Sequence, residues 1–469
     1  MSNRVAIQIP SEINSVLLSQ NCTLERLLSM PELQSELRYN KRLQRFICDE
    51  SVLQQLFKNI LDDSNPKLQS QATKVVCANV LAITENIFYF PNLISSLLQE
   101  FITSKSNVTI SSISKVLTVL LDIPTSNVFE MMKSMNDIVC ILLSHIANYE
   151  LKNFIKEIVK ITSEDGSNTL GALYLYSQNI VRLLVSKFLE TIRSELPDEE
   201  VLENIVDVLQ AISSINGCEE RFVADINSCQ KIKELFDTIF DAKSKSTKAI
   251  GFKLLSICLT QSSVVYGLCE CQRNALPQVY QLLFEHIEEL KREMFYESGC
   301  VTVVRMECIK IVNALTLSYF KVVYEEFVTH NVLDILLKIF FSYQHNCTLI
   351  RQDIYTIVEA IASRGIPILE DQIFNTKFYN MLIEEDKKCI QYKDKNGYYP
   401  EHQGLLMEIM NTVYICILDE PEFGSEDFVE YYSKSVSQRR LNGGEVSYKI
   451  LEKDEEENKC IIDVYEEDI

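Results

Sequence analysis

The stretch Pro197–Gly217, PDEEVLENIVDVLQAISSING, decides the fold class of this chain. Its apolar residues recur at steps of three and four, the spacing of one buried face of an α-helix. They are Val201, Leu202, Ile205, Val208, Leu209, Ile212 and Ile215. Three acidic residues, Asp198, Glu199 and Glu200, stand in the first turn, where carboxylates suit the positive end of the helix dipole. The stretch therefore predicts one amphipathic helix.

The same apolar pattern returns along the chain at a regular interval. In this pattern, relative positions 0, 3, 4, 7 and 8 are all apolar. Complete copies of this template begin at residues 53, 94, 139, 181, 232 and 333, and imperfect copies begin at 279 and 374. Successive starts lie 41 to 54 residues apart, and roughly 40–47 residues is the period of armadillo and HEAT helical repeats. The interval predicts an all-α protein, an α-solenoid of armadillo/HEAT-like repeats. An irregular multi-helix globule is the alternative, because any buried helix can fill the template.

The composition excludes several classes of protein. The 469 residues include 66 Asp and Glu against 45 Lys and Arg, a net charge of −21. This balance argues against nucleic acid or an anionic membrane as the main partner, since phosphate backbones reward clustered basic residues. Only 12 Gly and 10 Pro are present, well under half of the roughly 12% in ordinary proteins, which disfavours strand-rich folds.

The domain organisation follows from the repeat pattern and from the charge. We expect a short N-terminal lead-in over residues 1–20, a helical-repeat domain over 21–440 and an acidic tail over 441–469. Within residues 452–469, nine carboxylates stand against two lysines, a net charge of −7. Such a block repels itself, so the tail is expected to be disordered. The clearest internal loop is predicted over Lys393–Pro400, KDKNGYYP.

The cysteines and the apolar runs predict the compartment. The 15 cysteines are odd in number and scattered, unlike a small disulfide scaffold, and we interpret them as reduced, mostly buried thiols. The sequence has no apolar h-region near its start and no uncharged apolar run of the length that spans a membrane. A cytoplasmic protein is predicted, with the nucleus as a second compartment.

Residue groupings that carry catalysis are missing from the sequence. Neither GxxxxGK[ST] nor GxGxxG occurs, and the five histidines are too scattered for two imidazoles to meet at one metal. Cys269 and Cys271 form the only close thiol pair, with no further ligand nearby in the sequence. We therefore predict no catalytic residue, no cofactor and no metal site, which favours a scaffold or regulator over an enzyme.

Short segments of the chain match one family in order. Near the N-terminus these are Thr23–Leu28, Pro31–Leu37, Asn40–Leu43 and Phe46–Ile47. They are followed by Val139–Ile146, Phe340–Asn346, Gly404–Leu406 with Ile409 and Asn411, Asp427–Val429 and Leu441–Gly444. Together the segments resemble the SAPS family, helical-repeat regulatory subunits of protein phosphatase six and its fungal counterpart. Their order over residues 23–444 is more specific than any single motif.

The chain also departs from the family pattern. It has no Trp, and Gln344 and His345 stand where the family has Pro and Trp. Residues 150–300 match only by their hydrophobic pattern. These departures concern the detailed partner contacts more than the fold.

The resemblance implies a function and a partner. The protein would be a non-enzymatic subunit that binds the catalytic subunit of a type-six serine/threonine phosphatase and directs its substrate choice or location. In some relatives an ankyrin-repeat subunit joins the complex, and the sequence leaves open whether one does here. The alternative is an armadillo/HEAT-type adaptor for transport or cytoskeletal proteins with no link to a phosphatase.

The matched segments also supply candidate partner-binding residues. These are Gln34, Glu36, Asn40, Lys41, His145 and Asn346. Other roles are open for three of them. Asn40 could cap a helix or bond between helices, His145 could be a core or groove-edge histidine, and Asn346 could cap a helix that begins near Thr348.

Overall fold

The computed structural model describes residues 12–123, 127–135, 137–163, 166, 169–266, 276–294, 302–318, 320–342, 348–365 and 367–439. Within these ranges every regular element is a helix and no strand occurs. None of the helices there is both long and apolar enough to cross a membrane. The predicted tail over 441–469, the Cys269–Cys271 pair and Asn346 lie outside the described residues.

The chain divides into two compact units, Met1–Ile257 and Cys258–Ile469. The helices of unit 1 are α1 (Glu12–Leu17), α2 (Leu24–Leu28), α3 (Leu33–Leu37), α4 (Lys41–Ile47), α5 (Glu50–Leu61), α6 (Pro66–Cys77), α7 (Leu81–Ile87), α8 (Pro91–Thr103), α9 (Asn107–Leu121), α10 (Val128–Lys133), α11 (Ile138–Ser144), α12 (Tyr149–Val159), α13 (Leu170–Ser177), α14 (Ile180–Ile192), α15 (Glu199–Ser213), α16 (Glu219–Asn227), α17 (Ile232–Phe240) and the first part of α18 (Lys245–Tyr266). Unit 2 contains α19 (Gln278–Glu285), α20 (Ile287–Met294), α21 (Val303–Thr316), α22 (Lys321–Thr329), α23 (Val332–Ser342), α24 (Thr348–Arg364), α25 (Pro367–Ile373), α26 (Thr376–Asn396), α27 (Gln403–Asp419), a 3₁₀ turn (Pro421–Phe423), α28 (Glu426–Tyr431) and a π-helical turn (Tyr432–Val436).

In unit 1, helices pack against the helices three positions further along the chain. The first three, α1, α2 and α3, pack on α4, α5 and α6. Every third helix from α6 onward, here called the third helix of its repeat, packs against the next one in the series α6, α9, α12 and α15. Side-chain hydrogen bonds join residues about one repeat apart, for example Asn148 to the carbonyl of Asn107 and Arg193 to Glu234. This is the packing of three-helix repeats that contact only their neighbours.

Unit 2 shows the same arrangement among its own helices. The third helices α21, α24 and α27 pack in series, α20 packs on α23, and α22 packs on α25. Lys377 donates to Asp334, 43 residues away, and the Tyr379 hydroxyl donates to the carbonyl of Phe423. The predicted armadillo/HEAT-like α-solenoid is therefore confirmed, and the irregular globule is not observed.

The apolar stripes predicted from the sequence are buried. The stretch 197–217 forms α15, whose N-cap Asp198 accepts a hydrogen bond of 3.1 Å from the amide of Val201. Six of the seven stripe residues lie in α15 and are buried, while Ile215 lies two residues beyond the end of the helix and is half-buried. The full template is buried at Val181–Leu189 and at Ile232–Phe240, while Ile102 at the end of another copy is 37% exposed. Burial of these stripes is what stabilises helices of this length.

Two predicted boundaries differ from the structure in detail. The loop predicted over Lys393–Pro400 is shorter, since α26 continues to Asn396 and ends at Gly397, whose φ of +83° suits a glycine cap. Residues 12–17 of the predicted lead-in form α1, which buries Ile13 and Val16 and packs on α4. Both segments therefore contribute more helix than their composition indicated.

Candidate functional site

A series of ion pairs links the third helices of neighbouring repeats in unit 1. Lys115 of α9 lies 3.3 Å from Glu150 of α12, and Lys152 of α12 lies 3.0 Å from Asp207 of α15. Lys253 of α18 approaches the other oxygen of Asp207 at 2.9 Å. Although partial burial opposes ionisation, hydrogen bonds from both lysines hold the pKa of Asp207 below its usual range. The pairs fix neighbouring repeats against each other at the surface.

Exposed apolar side chains stand at the start of the same helices. Val108, the second residue of α9, is 53% exposed, and Tyr149, the first residue of α12, is 57% exposed. The Asn148 side chain donates to the carbonyl of Asn107 at 2.9 Å, so these two helix starts are adjacent. The Lys152 ammonium lies 4.5 Å from the centre of the Tyr149 ring. We call the group formed by Val108, Lys115, Tyr149, Lys152 and Asp207, in which Lys152 is buried, the unit 1 ladder.

The third helices of unit 2 begin in the same way. Val303, the first residue of α21, and Leu349, the second of α24, are exposed. On α21, Lys310 lies 2.8 Å from Glu307. Burial raises the pKa of Asp353 on α24, and Lys310 partly opposes that shift. Apolar groups beside charged ones are compatible with a protein–protein interface, which has an apolar core and a polar rim.

The structure separates the predicted N-terminal candidates by exposure. Asn40 caps α4, and its side-chain oxygen accepts hydrogen bonds of 3.1 Å from the amides of Arg42 and Leu43. Its amide group donates to Glu36 at 2.7 Å and to Asn14 at 3.2 Å, which brings Glu36 and Asn40 together. Gln34 and Lys41 are exposed, and Lys41 donates to Gln44 at 3.1 Å. Asn40 and Glu36 therefore hold the local structure, while Gln34 and Lys41 face solvent.

Replacing Asn40 with alanine is expected to lower the free energy of unfolding by about 1–2 kcal/mol, the cost of losing an N-cap. The bonds to Glu36 and Asn14 are lost as well. The urea midpoint followed by far-UV circular dichroism would measure the change. Arg42→Ala, at an exposed neighbour, is the control and should leave the midpoint unchanged; an equally stable Asn40→Ala variant would contradict the capping role.

His145 lies on a different helix from the N-terminal candidates. It follows α11, is half-buried, and places its ring edge-on to Phe101 of α8 with 6.0 Å between centroids. Burial lowers the pKa of His145. The structure thus places this histidine in packing between α8 and α11 and does not bring it together with Asn40.

Unit 2 contains a buried polar cluster that the sequence did not predict. Glu385 and Cys389 lie one turn apart on α26, and His402 precedes α27. The His402 Nε2 atom lies 3.2 Å from Glu385 Oε1 and 3.4 Å from Cys389 Sγ. Burial, reinforced by the neighbouring Glu385 and Asp386, raises the pKa of Cys389 to about 12. Burial also opposes the ionisation of Glu385, but hydrogen bonds from His402 and Lys388 hold its pKa below the usual range.

A second set of hydrogen bonds lies beside this cluster. Asp386 is fully buried and accepts from Gln403 at 2.9 Å and from the Tyr431 hydroxyl at 2.8 Å. The Arg439 guanidinium donates to both of its oxygens. The Glu385–Cys389 spacing of four residues was visible in the sequence. The contact of Cys389 with His402, 13 residues further on, was not visible, because it depends on how α26 packs against α27.

No protein-family model and no curated protein matches this chain. Solved structures of similar fold include Kap121p, which is 10% identical with a TM-score of 0.37 over 91% of this chain and 52% of that chain. The UNC-45 chaperone, described as binding and folding muscle myosin, is 11% identical with a TM-score of 0.30 over 89% of this chain and 54% of that one. A chain from a study of the phosphorylation switch between cadherin and beta-catenin is 10% identical, with a TM-score of 0.32 and coverage of 86% and 83%.

This chain thus spans about half the length of the Kap121p and UNC-45 chains. Likenesses at these scores carry no argument about partners.

Proposed function

We propose that this chain is a non-enzymatic scaffold that binds other proteins, and that its partner is the catalytic subunit of a type-six serine/threonine phosphatase. The unit 1 ladder is the observation that carries the scaffold function. Its helices pack directly on each other and are also joined by the Lys115–Glu150 and Lys152–Asp207 ion pairs, so the exposed Val108 and Tyr149 are held in place before any partner arrives. A preorganised surface loses little side-chain freedom on binding.

The size of the repeat array suits a protein partner. Stable protein–protein interfaces bury roughly 1,600 Å² in total, and consecutive helices of a repeat protein supply such an area without opening the core. Aromatic residues such as Tyr149 are enriched among the residues that dominate binding energy. Within unit 1, exposed groups of this kind lie outside the buried stripes, so partner binding does not compete with folding.

The choice of a phosphatase rests on the family resemblance. Segments of this chain resemble the SAPS pattern in order from residue 23 to residue 444. Gln34 in the segment Pro31–Leu37 and Lys41 in the segment Asn40–Leu43 are exposed and accessible to a partner. The metal ions of phosphoester hydrolysis would belong to the catalytic subunit, and this chain would direct its substrate choice or location.

Affinity capture of the tagged full chain from its own cells tests the proposal. We expect a type-six phosphatase catalytic subunit in near-equimolar amount by quantitative mass spectrometry, and an ankyrin-repeat protein beside it if the complex has a third subunit. Repeated capture of transport or cytoskeletal proteins without a phosphatase would refute the phosphatase assignment and favour the adaptor.

A charge reversal at the exposed candidates sharpens this test. The double substitution Gln34→Ala with Lys41→Glu is expected to weaken phosphatase capture by about 5-fold or more, the size of an effect above 1 kcal/mol at an interface. Gln54→Ala with Lys58→Glu on α5 is the matched control, because it changes the same two residue types at exposed positions of the same unit. Equal losses in both variants would show that the N-terminal segment is not the contact.

A further inference from the structure

We propose that Glu385, Cys389 and His402 bind a zinc ion, with one coordination position left for water or an external ligand. Among the described residues, these three form the group whose ligand atoms all lie within 4.8 Å of one another. The site belongs to unit 2 alone and is independent of the phosphatase assignment. It goes beyond the scaffold function, because it gives the chain a ligand of its own.

The distances suit a tetrahedral ion. With bond lengths of roughly 2.3 Å to sulfur and 2.0–2.1 Å to nitrogen, tetrahedral zinc separates its S and N ligands by about 3.6 Å and its N and O ligands by about 3.3 Å. The His402 Nε2 atom is 3.4 Å from Cys389 Sγ and 3.2 Å from Glu385 Oε1. Two of the three separations are thus near those that a bound ion requires, and the ligand atoms of Glu385 and Cys389 lie within 4.8 Å of each other.

The ligand types select the metal. A thiolate disfavours Mg²⁺ and Ca²⁺, which prefer oxygen ligands, whereas zinc accepts sulfur, nitrogen and carboxylate oxygen together. Three protein ligands with an open fourth position are typical of zinc sites that exchange ligands, while structural sites are closed by four. The fourth position of the proposed ion is therefore open to an exchangeable ligand.

The surroundings hold the ligands in place. Gln403 donates to the fully buried Asp386 at 2.9 Å, and this bond runs beside the Glu385–His402 contact between the same two helices. This bond fixes the position of the start of α27 along α26, and it thereby places His402 beside Glu385 and Cys389. Lys388 lies 2.9 Å from Glu385 Oε2, which leaves Oε1 turned toward the cluster. Side chains positioned by such outer contacts bind a metal with little rearrangement.

One outer contact common at zinc sites is lacking. Among the described residues, no hydrogen-bond partner reaches the buried Nδ1 atom of His402, whereas a metal-bound histidine usually donates from its second nitrogen. Loss of such a partner typically costs 10–100-fold in metal affinity. We therefore expect binding to be weaker than at a closed structural zinc site, within the range measured by competition with a chromogenic chelator.

The experiment titrates zinc chloride into the metal-stripped full chain under reducing conditions. Wild type is expected to take up one more equivalent than Cys389→Ser, or to bind at least about 10-fold more tightly at that equivalent. Cobalt as a probe should give a thiolate-to-metal absorption band that Cys389→Ser loses. Cys416→Ser, a half-buried cysteine on α27 outside the cluster, is the matched control and should behave as wild type.

Two outcomes would overturn the proposal. One is the absence of zinc uptake by wild type at micromolar concentrations; the other is unchanged stoichiometry and affinity in Cys389→Ser. If that variant does not fold, as judged by circular dichroism, His402→Gln replaces it. His330→Gln is then the control, because His330 contacts the carboxylates of Glu288 and Glu326 with no cysteine among these partners. Equal binding by the two histidine variants would likewise reject the site.

Discussion

Replacing Asp386 with alanine is expected to lower the free energy of unfolding of unit 2 by about 3–5 kcal/mol, the cost of breaking a buried ion pair from one side. Asp386 is fully buried, and its two oxygens accept hydrogen bonds from Gln403, Tyr431 and both terminal nitrogens of Arg439. The alanine variant would leave the Arg439 guanidinium, whose side chain is only 20% exposed, without its carboxylate. The unpaired donors, more than the lost attraction, account for the size of the effect.

The loss should be concentrated in the last helices of unit 2. Asp386 lies on α26, Gln403 begins α27, Tyr431 ends α28 and Arg439 follows the π-helical turn, so one carboxylate holds four segments together. Hydrogen exchange of α28 amides is the local measurement, and urea unfolding followed by circular dichroism gives the free energy. Circular dichroism is preferable to fluorescence because the chain has no Trp.

A double-mutant cycle tests the mechanism. If the uncompensated charge dominates, Asp386→Ala combined with Arg439→Ala should cost clearly less than the sum of the two single substitutions. Glu430→Ala, which removes the exposed ion pair with Lys434 on the same segment, is the control and should change stability little. Additive losses in the cycle, or an Asp386→Ala variant as stable as wild type, would contradict this account.

The helices and the repeat were predictable from the sequence because both depend on local spacing. The stripe in α15 needs only the 3.6-residue period, and the template copies that begin at Val181 and Ile232 are buried as predicted. The interval between the copies reflects the packing of each helix on the helix three positions away. Such patterns can be recognised in the sequence even though no family model matches the chain.

The polar sites were much less predictable, because they depend on long-range pairing. Asp386 and Arg439 are 53 residues apart, and nothing in either local segment indicates the other. Asn40 is the exception among the candidates, because helix capping was one of the roles considered for it from the sequence. Capping is a local interaction that involves the amides only two and three residues further on. Whether Gln34 and Lys41 contact a partner remains a prediction, and Asn346 lies outside the described residues.

Gly171→Ala is expected to destabilise unit 1 by about 3 kcal/mol or more, because the added methyl group has no space. Gly171 is the second residue of α13, and its amide donates to the carbonyl of Ile161 at 3.0 Å. A Cβ atom built there would stand 1.7 Å from the carbonyl oxygen of Ile158 and 2.8 Å from its carbon. Both contacts are with backbone, so rotation of a side chain cannot relieve them. The start of α13 would have to move away from α12 by more than an ångström.

Gly404→Ala separates this collision from the general effect of adding a methyl group to a helix. Gly404 is also the second residue of its helix, α27, but among the described residues, apart from its chain neighbours and the adjacent backbone of its own helix, no atom lies within 4 Å of a Cβ built there. Alanine there should stabilise by about 0.4–1 kcal/mol, since it restricts the unfolded chain without a clash. The two substitutions therefore have opposite expected signs in urea unfolding. A Gly171→Ala variant with an unchanged midpoint would mean that α12 and α13 separate at low cost, and the close approach of their backbones would then not be needed for the stability of unit 1.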